Sequence, residues 1–302
     1  MPHQELPQRP SPDEFVVAKP RFFNDPENSV YLLPADSEER RRLNLQHANL
    51  VSAAGGKLLF APIDLKDGDR ALDCATGTGV WLLDILSRSP EGVSFTGIDL
   101  SSHLFPDASI TPANASFLRH SILDLPESWT STYTLIHQRL LIAALRTEEW
   151  PKVIAGYFRA LQPGGWIQLC EVYPAGCIAL GPRTARVRGM QRELMRLRGL
   201  DFDCAPHLEG WARQAGFINI EKVQIKVPVG VRAGKGPRNY TEGSIEMFLA
   251  MKVSYYLRVN AGVVGSEEEY VAAVAEMREE WDTIDDAHVP FYYVWAQKPA
   301  FT

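Results

Sequence analysis

The chain has 302 residues, 45% hydrophobic and 23% charged, which is ordinary folded-protein usage and enough length for one large α/β domain or two small ones. Its 31 basic and 37 acidic residues leave a net charge of −6, which argues against a nucleic-acid partner. This composition excludes disordered, collagenous and fibrous classes. No apolar run approaches the ~20 residues of a membrane span, so no membrane partner is expected. The opening MPHQELPQRPSPDEF lacks the apolar stretch of a secretory signal. The expected compartment is cytoplasmic or nuclear.

In chain order, five prolines within residues 1–20 predict an extended arm. Residues 36–60 read as a helix, with Asp36 as its cap and Leu43, Leu45, Leu50 and Val51 as an imperfect apolar face. From residue 70 the pattern becomes β-α-β. Strands are predicted at 70–75, 94–99, 116–121, 133–138 and 166–171, with helices at 80–89 and 147–161. Strands separated by such helices imply right-handed crossovers and a parallel sheet covered on both faces. Towards the C-terminus, 220–229 alternates cleanly and 291–297 is a short apolar run; these two are expected to form an antiparallel edge. Helical segments are predicted between them, at 240–260 and at 266–282. The second opens on a capping box, Ser266 with Glu269.

Cys74, Cys170, Cys177 and Cys204 form no C-x-x-C pair, and the seven histidines form no H-E-x-x-H. Reduced, mostly buried thiols and no metal are the expectation. The informative stretch is Leu72-Asp73-Cys74-Ala75-Thr76-Gly77-Thr78-Gly79, at a strand-to-helix junction. Gly77 and Gly79 let the backbone turn and approach a ligand. Asp99 follows at the end of the next strand, where a carboxylate accepts both hydroxyls of a ribose. A dinucleotide fingerprint would need a small residue where Leu82 stands, so a different nucleoside fits better. Asp73 suits an aminoacyl ammonium rather than a pyrophosphate.

The order D-x-A-x-G-x-G, GIDLS, a third strand, and L-x-P-G-G before a fifth strand resembles the class I S-adenosylmethionine-dependent methyltransferases. The family has Gly where Ala75 stands, and Ala is the smallest substitute. NSVYLLPADSEERRRLNLQH, LIHQRLL, LQPGGWIQLCE and FYYVWAQKP look like one branch, the fungal methyltransferases related to the secondary-metabolism regulator LaeA. The resemblance implies an α/β fold, a doubly wound, mostly parallel seven-stranded sheet with an antiparallel last strand and helical additions. It implies a single domain over 21–302, with an N-terminal helical cap at about 21–65 and a helical insertion at about 234–285. It also implies S-adenosylmethionine as cofactor and methyl transfer to a small organic acceptor, with O, N, S and C all open as the accepting atom. Two alternatives stand beside it: a LaeA-like regulatory protein acting through partners, and a cyclase that retains the cofactor without methylating.

Residue roles follow from the resemblance. Asp73 would hold the methionine ammonium, and Ala75 and Gly77 would pass their backbone along the cofactor beside Gly79. Asp99 would take the ribose, Leu100 the adenine face, and Ser121 and Ile122 the adenine edge. Tyr31 would close over the cofactor. His137, ending the fourth strand, is either a general base or a residue that only lines the cofactor or packs under it, and one of Gln138 and Arg139 is expected to face inward.

The acceptor side draws on Tyr173 and on Met247, Met251 and Tyr255, which share one face of the 240–260 helix. That stretch is either plain core or an apolar lid and dimer surface, which leaves a homodimer open. The arginine-rich run 183–199 is read as a solvated helix face with Val187, Leu194 and Leu197 turned inward; an anion-binding patch is the alternative.

Overall fold

The computed structural model describes residues 22, 31, 33–234, 239–251 and 264–300. Seven strands form one sheet: β1 (Arg70–Cys74), β2 (Ser94–Asp99), β3 (Ala115–Arg119), β4 (Tyr133–Arg139), β5 (Leu161–Val172), β6 (Ile218–Pro228) and β7 (His288–Gln297). Their order is β3-β2-β1-β4-β5-β7-β6. β7 runs antiparallel to both neighbours, so the other six strands are parallel to one another. This is the doubly wound architecture that the β-α-β pattern predicts. The predicted arm lies outside the described residues.

Side chains alternate across the central strands. Leu72, Ile136 and Gln138 face α3 (Trp150–Ala160) and α5 (Cys204–Gln214), where the larger core sits and the Tyr157 hydroxyl donates to Gln138 at 2.7 Å. Ala71, Leu135 and Phe95 face α2 (Val80–Leu86), which packs Trp81, Leu82 and Ile85 over them. On that α2 face the register also aligns Asp73, His137 and Gln168, a buried polar row across three strands. The four cysteines are free and buried, as predicted.

The helix α1 spans Ser37–Ala53 and is capped by Asp36, whose Oδ1 accepts from the Glu39 N–H at 3.0 Å. It ends earlier than predicted, because Gly55 and Gly56 turn the chain at positive φ. Its buried face also differs: Glu39, Arg42 and His47 are buried with Leu50, and the Arg42 guanidinium pairs with the Glu39 carboxylate at 2.6 and 2.9 Å. The helix therefore buries satisfied charge where an apolar stripe was expected.

The helix α5 was not predicted. Pro206 hid it, although a proline in the first turn is tolerated. Trp211 of α5 stacks on Trp150 at 5.4 Å. α4 (Pro182–Leu197) packs on α7 (Glu267–Asp282), and α6 (Tyr240–Ala250) packs against α1 and α7. The arginine run is mostly a paired outer face: Arg183 meets Glu279 at 3.2 Å and Arg186 meets Glu269 at 2.8 Å. Val187 and Leu194 point inward as predicted, but Leu197 is exposed. Arg188 is the exception among the arginines, buried over the Phe248 ring at 4.8 Å. Ser266 caps α7 through the Glu269 N–H.

Candidate active site

The turn after β1 carries three left-handed residues in a short span: Ala75 (φ 54), Gly77 (φ 55) and Gly79 (φ 71). For Ala75 this conformation costs ~1–2 kcal/mol, so its departure from the family's glycine is paid in backbone strain rather than in space. Gly79 is required twice over, because a Cβ there would meet Phe117 at 2.6 Å. The turn is pinned from β2: the Gly77 N–H donates to Asp99 Oδ2 at 2.9 Å, and the Ser101 N–H donates to Oδ1 at 3.1 Å. The Thr78 hydroxyl donates to Asn44 of α1 at 2.8 Å, fastening the cap to the turn.

Above these strand ends lies a cleft of about 290 Å³. Its floor is the 75–78 turn with Asp99 and Leu100, and Tyr31 and Leu43 close one side. Residues 120–123 form the β3 wall; Arg139, Leu140, Leu141, Ala144 and Leu145 form the β4 wall. Open parallel sheets hold ligands at this position. Tyr31, Ala75, Gly77, Asp99, Leu100, Ser121 and Ile122 meet here, while Gly79 lies outside the lining. Burial raises the Asp99 carboxyl pKa, while its backbone donors oppose the rise.

Asp73 and His137 lie under the turn and do not line the cleft. The two-residue strand period directs both onto the α2 face. The His137 Nδ1–H donates to Asp73 Oδ1 at 2.7 Å, and the Thr76 hydroxyl donates to Oδ2 at 2.5 Å. The His137 ring lies parallel to Trp81, with centroids 3.5 Å apart. Burial lowers the His137 pKa, which keeps the ring neutral. This placement departs from the expectation of a base beside the methyl site, since the ring has no path to a ligand in the cleft.

The acceptor residues depart as well. Tyr173 stacks on Tyr292 at 5.3 Å, beside β7. The helix α6 ends at Ala250, so Met247 and Met251 do not continue one helical face. Met251 is buried, with its sulfur accepting from the Gln191 amide at 3.3 Å, and Met247 lies against α1. Tyr255 lies outside the described residues.

Two residues of this region, Glu171 and His120, carry no signal in the sequence. Glu171, at the end of β5, is fully buried and accepts from the Leu141 and Ile142 N–H groups at 2.7 and 3.1 Å. It thereby shapes the β4 wall, and burial pushes its pKa up to about 8. His120 lines the β3 wall, with its Nδ1–H donating to the Ser121 carbonyl at 2.9 Å. Arg139 is the inward-facing member of the pair that follows His137. Among the described residues, no group of His, Cys, Asp and Glu could hold a metal ion, and no helix is long and apolar enough to cross a membrane.

The donor set fits S-adenosylmethionine. Each Asp99 oxygen takes a backbone N–H and keeps a lone pair for a ribose hydroxyl. Leu100, Leu104 and Ile122 supply apolar surface for a flat base beside it.

Comparison with known proteins agrees. A family model described as a methyltransferase domain matches residues 44–222, more than half of the chain. The N-methyltransferase tcpN of Claviceps purpurea is 31% identical over 273 residues, covering 85% of this chain and 92% of that protein. The N-methyltransferase sirN of Leptosphaeria maculans is 29% identical over 283 residues, covering 90% and 96%. Among solved structures, a chain of the Haloferax volcanii complex between the Trm112 methyltransferase activator and a methyltransferase is similar in fold. It has a TM-score of 0.54 and 16% identity, over 88% of this chain and 96% of that one.

Proposed function

We propose, for a chain that belongs to the methyltransferase-domain family and takes its methyl group from S-adenosylmethionine, that the acceptor is a nitrogen of a small, largely apolar secondary metabolite. The observation that carries this reading is the β4 wall: Leu140, Leu141, Ala144 and Leu145 give the cleft an apolar face, while Glu149, which also lines it, accepts from the Arg146 N–H at 2.7 Å, and His120 lies on the β3 wall. Such a surface orients an apolar molecule by shape. Held by these residues, the cofactor would supply a methyl group activated on a cationic sulfonium, with the neutral thioether S-adenosylhomocysteine as the leaving group.

The residues have positioning work. Asp99 fixes the ribose end. Glu171 holds the Leu141 and Ile142 backbone, and so the apolar wall, in place. Asp73, with both oxygens engaged, acts on the ammonium end indirectly, and His137 supports Asp73 from below. A nitrogen nucleophile suits this arrangement, because an uncharged amine carries its lone pair without a base. The family names of the two fungal relatives point the same way. The finer placement, in the LaeA-related branch, rests on the YLLP, LIHQRLL and LQPGGWIQLCE segments.

The test is incubation of the purified protein with methyl-deuterated cofactor and a size-matched panel of amines, amides, phenols and thiols, read by mass spectrometry. Label on nitrogen is the expected result. Label confined to phenols or thiols would overturn the nitrogen reading and leave the methyl-transfer activity standing.

A further inference from the structure

Arg139 is the last residue of β4 and lines the cleft. Among the described residues, no Asp or Glu pairs with its guanidinium within 4.0 Å, whereas the arginines of α4 mostly have acidic partners. Its hydrogen-bond partner is instead an imidazole: the Nη1–H group meets His47 Nδ1 at 3.1 Å. Arginine has no acceptor atom, so Nδ1 must be the acceptor and the proton of a neutral ring must sit on Nε2. That nitrogen donates to Asp84 Oδ2 at 3.0 Å. Burial and the Arg139 charge lower the His47 pKa to about 4, in keeping with a neutral ring. The chain Asp84–His47–Arg139 thus fixes one edge of the guanidinium and leaves its remaining N–H groups for the cleft.

The sheet sets the spacing. Asp99 ends β2, Arg139 ends β4, and β1 lies between them. Two inter-strand steps separate their backbones by about 10 Å. The cleft therefore has an anion at one end that suits a diol and a cation at the other that suits an anion, with the Ala75–Gly77 turn between. A ligand with a ribose at one end and an α-amino acid at the other matches both.

We propose that Arg139 binds a carboxylate in this cleft, that the carboxylate is the amino-acid end of S-adenosylmethionine, and that His47 is its positioning residue. The proposal rests on the reading of this cleft as the cofactor site. The guanidinium forks onto the two carboxylate oxygens, and the His47–Asp84 pair holds it at the angle that allows this.

The experiment is calorimetric titration with three ligands: S-adenosylhomocysteine, its decarboxylated analogue, which keeps the amine, and 5′-methylthioadenosine, which lacks the amino-acid end. Arg139→Met should weaken S-adenosylhomocysteine by about tenfold or more, as loss of a charge-assisted hydrogen bond does, and leave the other two ligands unchanged. Arg139→Lys, which keeps the charge and loses the fork, should fall between. His47→Leu should show the same ligand-selective loss. His47→Gln, which can accept from Arg139 and donate to Asp84, should recover it. Melting curves establish that each variant is folded, and Arg139→Lys carries the test should Arg139→Met fail to fold. Equal weakening of all three ligands by the Arg139 variants would assign Arg139 a structural part and overturn the proposal. Unchanged S-adenosylhomocysteine affinity with a raised acceptor KM would overturn it too, by giving the carboxylate to the acceptor. Failure of the wild type to bind both S-adenosylhomocysteine and 5′-methylthioadenosine would strike the cleft reading itself.

Discussion

Two arginines, one at each side of the molecule, show how the same side chain is used in opposite ways. On the cleft side, Arg139 is held by a neutral ring and opens onto a cavity. On the helical side, Arg188 is sealed among Gln191, Cys177 and the Phe248 ring. The contacts that build the glycine turn and the helical side differ in reach. The turn beneath the cleft closes with Thr76–Asp73 and Gly77–Asp99 bonds, 3 and 22 residues apart. The helical side closes with Gln191–Met251 and Thr184–Glu280 bonds, 60 and 96 residues apart. The glycine turn is thus specified by short spacings, whereas the cleft walls and the helical region are both held by distant partners, such as Arg139 and His47, 92 residues apart; what differs is that the Arg139 guanidinium opens onto the cleft and that of Arg188 is sealed.

Met251→Lys breaks this comparison most severely. The sequence leaves this stretch open between core and lid, and the structure buries Met251 beside Gln191, which itself bonds to Arg188. An unpaired ammonium there should cost about 3–5 kcal/mol. Chemical denaturation should show that loss; unchanged stability with abolished methylation would restore the lid. Glu171→Ala tests the cleft side on the same scale. Two buried N–H groups lose their acceptor, at about 1–3 kcal/mol each, partly offset by removal of a buried carboxyl. Stability should fall and the acceptor KM should rise, with cofactor affinity changed least.

Asp99→Ala should weaken cofactor binding by about tenfold or more, and it should also lower the melting temperature, because the Gly77 and Ser101 N–H groups lose their acceptor. Calorimetry showing unchanged affinity would remove Asp99 from the ribose role.

The pH response is a gentler effect, and both groups that carry it belong to the cleft side. Glu171 has a folded pKa of about 8 against an ordinary value of 4.5, so the folded chain holds a proton that the unfolded chain releases. Its effect is to make stability decline as pH rises from about 4.5 to about 8. His47 acts in the opposite direction: its pKa of about 4 lies below the ordinary 6.5, so stability declines as pH falls through that window. Denaturation midpoints at pH 6.5 to 8, where His47 contributes little, should show a slope in the wild type that Glu171→Gln flattens.

The smallest effect is at Ala75. Ala75→Gly should raise stability by about 0.5–1 kcal/mol, because the left-handed penalty exceeds the added entropy of the unfolded chain. A lower melting temperature would mean that the strain at φ 54 is absent.

The parts legible in the sequence are those written in local spacing. The 73–79 turn, Asp99 and the order of the strands follow from residues close together, and Asp36 and Ser266 announce their helices directly. Of the readings open for His137, packing under the site is the one that its strand face selects. Counting from Leu72 and Ile136 on the α3 face assigns Asp73 and His137 to the α2 face. Glu171 and His47 gave no signal, because their partners lie 30 and 92 residues away and a charged residue in a strand or helix reads as surface. The buried ion pair of α1 was hidden in the same way, since Arg42 in an arginine-rich stretch looks solvated.

The four buried cysteines carry a practical consequence. Burial raises every one of their pKa values, that of Cys170 to about 12. Thiol reagents attack the thiolate, so the folded chain presents almost nothing for them to label at neutral pH. Cys74 sits beneath the cofactor turn, Cys177 belongs to the helical side, and Cys204 opens α5 on the α3 face of the sheet. Alkylation timed cysteine by cysteine therefore clocks the opening of each region separately, and bound S-adenosylhomocysteine should slow the clock at Cys74 before it touches the other three.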